Sequence, residues 1–89
     1  MAMKRNKFIA KLKEKGVHVV GTTEEFNGSK GGVWCSAESG GDAFNYYAFD
    51  FGMEEEYPCG VKKEIEQFAN DNGWFFEWND CGTVMAWEL

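Results

Sequence analysis

The chain has one proline, one histidine and three cysteines among its 89 residues, and no long apolar run. No stretch approaches the roughly 20 apolar residues that a helix needs to cross a bilayer, which argues against a membrane-embedded protein. Behind the basic start at Lys4 and Arg5, the apolar pair Phe8 and Ile9 is soon interrupted by Lys11, Lys13 and Lys15. That leaves no secretory core of about 7–15 apolar residues, so the expected compartment is the cytoplasm. Cys35, Cys59 and Cys81 are odd in number and form no Cys-x-x-Cys pair, which fits free thiols in a reducing compartment. In that setting the Asn27-Gly28-Ser29 sequon carries no weight.

The usual signatures of reaction chemistry are equally scarce. His18, between Val17 and Val19, has no activating partner in the sequence and reads as an outward strand residue. Zinc sites offer ligands in close pairs, whereas the three cysteines stand more than 20 residues apart. Core packing is the better reading of Cys35. Gly28-Ser-Lys-Gly-Gly32 has glycines but lacks the Gly-Lys-Ser/Thr ending of a phosphate loop, and a strand follows it where a helix is required. Glu54-Glu-Glu56, with Asp50 nearby, does not place carboxylates at alternating positions around a turn glycine, so it reads as a solvated acidic loop. No catalytic residue, metal site or cofactor is expected, and the chain reads as a non-enzyme.

Basic residues are also nearly missing from most of the chain. Residues 1–15 hold six basic side chains against Glu14, a net of +5. Residues 16–89 hold only Lys30, Lys62 and Lys63 against 14 carboxylates, a net of −11, and together these give the formal charge of −6. An acidic body repels a phosphate backbone, whose binding depends on lysine and arginine displacing counterions. Direct nucleic-acid binding is therefore disfavoured, although the basic arm, through Lys4, Arg5, Lys7 and Lys11, is where such contact would be made. Lying across the protein's own acidic surface is the simpler use of that arm.

What the chain has in abundance is aromatic residues: 17% in all, as eight Phe, four Trp and three Tyr. Disordered chains lack such groups, so this one folds. At this length it forms one domain, residues 1–89, with residues 1–15 as a basic N-terminal helix. Phe8, Ile9 and Leu12 make an apolar stripe on a helix over 4–15, stopped near Gly16. Residues 17–22 are β-branched and read as a strand, and 24–32 as a polar loop. A second strand is expected over 33–38, a turn over 39–42 and a third strand over 43–51.

Residues 52–57 read as an acidic loop. The spacing of Val61, Ile65, Phe68 and Ala69 then predicts a second helix, ended by Asn72-Gly73. Strands over 74–78 and 83–89 follow, joined by a turn over 79–82. In these strands Val33 and Cys35 oppose Trp34 and Ser36, Trp74, Phe76 and Trp78 oppose Phe75 and Glu77, and Thr83, Met85 and Trp87 share one face. The order α-β-β-β-α-β-β predicts an α+β fold: an antiparallel sheet of about five strands with two helices on one face.

A sheet covered on one side leaves an aromatic surplus that must meet solvent, a second copy or a partner. Trp34, Tyr46, Trp78 and Trp87, with Asp50, Glu54, Glu55 and Glu56, are the candidate partner-binding residues, since Trp and Tyr favour interfaces. The expected partner is a protein, for example a nucleic-acid-binding host protein whose basic groove an acidic body can occupy. In size, charge and the aromatic hairpin ending Thr83-Val-Met-Ala-Trp-Glu-Leu89, the chain resembles in type the small acidic α+β proteins that phages and mobile elements use against host defence, such as anti-CRISPR proteins. That resemblance implies an inhibitor and carries over no functional residue. The competing readings are a single-stranded nucleic-acid binder that stacks bases on Phe44, Tyr46 and Trp78, and a homodimer that binds a small ligand.

Overall fold

The computed structural model describes residues 2–38, 43–48, 52–53, 55–57 and 60–89. Its elements are α1 (Arg5–Glu14), β1 (Val19–Thr22), α2 (Thr23–Asn27), β2 (Val33–Ser36), α3 (Lys63–Asp71), β3 (Trp74–Asp80) and β4 (Thr83–Glu88). The four strands form one antiparallel sheet in the order β1-β2-β4-β3, so the last strand of the chain lies inside the sheet. This is the expected α+β architecture.

The first face of the sheet is the one that α1 and α3 cover. Register pairs Val19 with Cys35, Cys35 with Val84, Val33 with Ala86, and Phe76 with Ala86, so these side chains share it with Trp74 and Trp78. Phe8 and Leu12, four residues apart on α1, and Ile65 and Ala69, four apart on α3, close over them and complete the core. At its centre Phe8 stacks on Trp74 at 4.6 Å between ring centroids and on Phe68 at 5.9 Å. Fully buried, Trp74 donates its indole N–H to the Met3 carbonyl at 2.8 Å, which pins the chain start to the sheet. Lys15 holds its ammonium 4.6 Å from the Phe68 ring centroid, an exposed cation–π contact.

Two stretches differ from expectation. The polar run after β1 contains a helix, α2, because Thr22 and Glu25 form a capping box. Thr22 Oγ1 accepts the Glu25 N–H, and Glu25 Oε1 accepts the Thr22 N–H at 2.9 Å. The third strand is not formed over 43–48, where Phe44 makes a lone bridge to Val61 and residues 46–48 turn. Asn45 causes the turn: its Oδ1 accepts the Tyr47 N–H, and its carbonyl accepts the Ala48 N–H. The rings of Phe44 and Tyr46 thus pack against Phe76 and Trp78 without forming the expected strand. Phe49–Phe51, the turn at 39–42 and Pro58 lie outside the described residues. Because Val61 belongs to that bridge, α3 begins at Lys63.

Candidate functional site

The second face of the sheet carries the other half of the alternation. Gly21 pairs with Trp34, Trp34 with Met85, and Met85 with Glu77, which makes one row across all four strands. In the neighbouring row Phe75 pairs with Trp87. Met85 is buried beneath its neighbours, Trp34, Phe75 and Trp87 are half-buried, and Glu77 is exposed. Among the described elements, α2 alone leans on this face.

Two glycines let α2 come so close. A methyl group added at Gly21 would stand 2.7 Å from Oε1 of Glu25, so the Glu25 carboxylate overlies the β1 end of the Trp34 row. A methyl added at Gly32 would stand 2.7 Å from both Thr23 Cγ2 and Trp87 Cζ3, so the Trp87 ring lies over Gly32. Phe26 of α2 meets Trp34 edge-on at 5.0 Å. Buried Thr23 closes the loop behind the helix: its hydroxyl donates to the Ser29 carbonyl at 2.8 Å and accepts the Gly32 N–H at 3.0 Å.

The central row therefore reads carboxylate, Trp34, Met85, carboxylate. Glu25 stands at the β1 end and Glu77 at the β3 end, and three strand spacings separate those positions by about 14 Å. No lysine or arginine lies at a described position on the second face of the strands.

The basic residues are elsewhere. Lys4, Lys7 and Lys11 are exposed on or beside α1, which covers the opposite face of the sheet. Lys11 pairs with Glu14 at 3.5 Å. Arg5 reaches α2, where its Nη1 donates to Glu24 Oε1 at 2.7 Å and to the Gly32 carbonyl at 3.2 Å. Glu24 Oε2 accepts the Gly31 N–H, and this bond, ahead of the Arg5 guanidinium, holds the Glu24 carboxyl at about 2. One guanidinium thus ties α1, α2 and the Gly31-Gly32 turn together.

The sequence candidates divide between two places. Trp34 and Trp87 lie on the second face. Trp78 lies on the first face, where it meets Phe44 at 6.1 Å and Tyr46 at 5.1 Å, both edge-on. Phe44 is buried and also packs edge-on against Phe76, so it does not offer the open ring plane that the competing base-stacking reading needs of it. Tyr46 and Tyr47 are half-exposed at the end of this chain of rings. Glu55 and Glu56 are exposed, while Asp50 and Glu54 lie outside the described residues. Phe75, Met85, Glu25 and Glu77 were not singled out from sequence. The alternation had placed Phe75, Glu77 and Met85, but only the strand order shows them side by side.

The described histidine and cysteines lie apart from the central row. His18 is exposed beside a cavity of about 10 Å³, room for one water, bounded by Gly16, Ser36, Ala37, Ala43 and Phe44. Cys35 is buried, and desolvation pushes its thiol up to about 12, far from a reactive thiolate at neutral pH. Cys81 is exposed in the β3–β4 turn, and Cys59 lies outside the described residues. Among the described residues no group of three His, Cys, Asp or Glu side chains could hold a metal ion, and no helix is long and apolar enough to cross a membrane.

Comparison with protein-family models, with curated proteins and with solved structures finds no match to the chain.

Proposed function

We propose that the protein is a non-catalytic docking module whose second sheet face binds a basic protein surface. The observation that carries this reading is the central row, in which Trp34 and Met85 stand between the carboxylates of Glu25 and Glu77. An apolar centre with a charged rim is the anatomy of a protein interface. The rim charge selects a partner with lysine or arginine around an apolar patch, and the acidic body raises its association rate. Two copies joined through this face would bring carboxylate rims together, so the charge favours a basic partner over self-association. The nucleic-acid reading has less support, because Lys7 and Lys11 of α1 stand on the opposite side of the sheet from the rings of the second face, and Arg5 is engaged by Glu24.

Nucleic-acid-binding host proteins present such basic surfaces. Occupying one would make the protein an inhibitor of the phage or mobile-element type that the sequence resembles. The test is capture from a lysate with wild-type and Phe75→Arg bait in parallel, followed by addition of duplex DNA. The reading requires a basic protein that wild type retains, that the variant loses and that DNA displaces. Equal capture by the two baits would reject it.

A further inference from the structure

On the second face, Trp87 has a polar atom without a partner. Its Nε1–H is enclosed by the protein and has no hydrogen-bond acceptor among the described residues. The contrast is with Trp74, whose indole N–H reaches the Met3 carbonyl at 2.8 Å. A buried donor without an acceptor is costly, and a ring position that exposed the N–H would recover that cost. What holds the ring down is packing on Gly32 and Thr23 at one end of the face.

We propose that Trp87 is the specificity-determining residue of the docking face, a ring that turns off Gly32 to donate its Nε1–H to a backbone carbonyl of the partner. This inference rests on the docking reading above. Turning the ring does two things at once: it gives the orphaned donor an acceptor, and it opens a slot floored by Gly32 and Thr23 for a partner side chain. The face then discriminates by a directed hydrogen bond as well as by charge and apolar area, because a partner without a carbonyl at that point leaves the donor unsatisfied. Phe75 is the register partner of Trp87 across β3 and β4, so it stands beside the slot on the same face.

The experiment is indole N–H exchange and relaxation by ¹⁵N NMR on the full chain, alone and with a synthetic peptide of repeated Arg-Thr-Leu-Thr units. In the free protein the Trp87 N–H should exchange with water at least tenfold faster than that of Trp74 and should show exchange broadening. Equal protection of the two indoles would overturn the proposal. With peptide, the Trp87 indole proton should shift downfield and become protected. Trp87→Phe, which keeps an aromatic ring but removes the donor with the pyrrole part of the indole, should remain folded and bind the peptide several-fold more weakly. Unchanged affinity in that variant would also overturn the proposal. If peptide perturbs Trp34 and Met85 but leaves the Trp87 indole unmoved, the gate fails and the docking reading stands. If Trp87 moves in the free protein while no peptide signal maps to this face, the docking reading fails.

Discussion

Phe75 and Trp87 stand opposite each other on β3 and β4, on the sheet face that α1 and α3 do not cover. The Leu89 N–H bonds to the Gly73 carbonyl at 2.9 Å two residues away, which makes the Phe75–Trp87 position a hydrogen-bonded pair of the antiparallel ladder. Backbone bonds therefore fix both residues of this pair on the second face.

The core depends on Phe8. It is fully buried and stacks between Trp74 and Phe68, joining α1, α3 and β3. Phe8→Ala should cost about 3–5 kcal/mol, a large part of the roughly 5–15 kcal/mol of a small domain. Urea unfolding followed by tryptophan fluorescence measures the loss. A cost below about 1 kcal/mol would mean that the ring is not central to the core.

Acid should loosen α2 and the β3–β4 turn. Glu24 is held at about 2 by the Gly31 N–H and Arg5, below its ordinary 4.5, and Asp80 is lowered by the Gly82 N–H. A carboxyl depressed in the folded state stabilises above its unfolded pKa, and that contribution is lost as pH falls through the folded value. The melting temperature should therefore fall between about pH 4.5 and pH 2. Glu24→Gln should flatten part of that fall, and an unchanged slope in the variant would contradict the assignment.

The cysteines should react in a fixed order. Cys81 is exposed and Cys35 is buried with its thiol pushed up to about 12. Site-resolved mass spectrometry after iodoacetamide at neutral pH should find Cys81 alkylated in the native protein, and Cys35 only after denaturant is added. Rapid native labelling of Cys35 would mean that the β2 core opens locally.

Much of the fold was legible because side-chain alternation is a local property. The opposite faces of Val33-Trp34-Cys35, Trp74-Phe75-Phe76 and Thr83–Trp87 follow from a period of two, and Phe8 with Leu12, and Ile65 with Ala69, follow from the helical period. The strand order was not legible. Placing β4 between β2 and β3 requires long-range pairing that no local window contains, and that pairing is what brings Trp34, Met85 and Glu77 into one row. Thr22 and Glu25 carried the capping-box signal for α2, hidden in a polar, glycine-rich stretch. Tyr46 and Trp78 were grouped with Trp34 and Trp87 by residue type, although their strands and turns place the pairs on opposite sides of the sheet.

Rim charge should control binding. Glu77 is exposed at the β3 end of the central row, so Glu77→Lys leaves the core untouched and reverses the charge that a basic partner meets. Affinity for the Arg-Thr-Leu-Thr peptide should drop several-fold, with most of the change in the association rate. The same substitution at exposed Glu64 on α3 should have a much smaller effect. Equal effects at the two sites would show that only net charge matters.

The most direct test of the docking face is a chemical-shift map of that peptide on the 89-residue chain at about 50 mM and about 300 mM salt. The predicted result is a contiguous set of shifts at Trp34, Phe75, Glu77, Met85 and Trp87, with binding weaker at the higher salt. Shifts confined to the α1 and α3 side of the sheet, or scattered over the acidic surface without reference to this face, would contradict it.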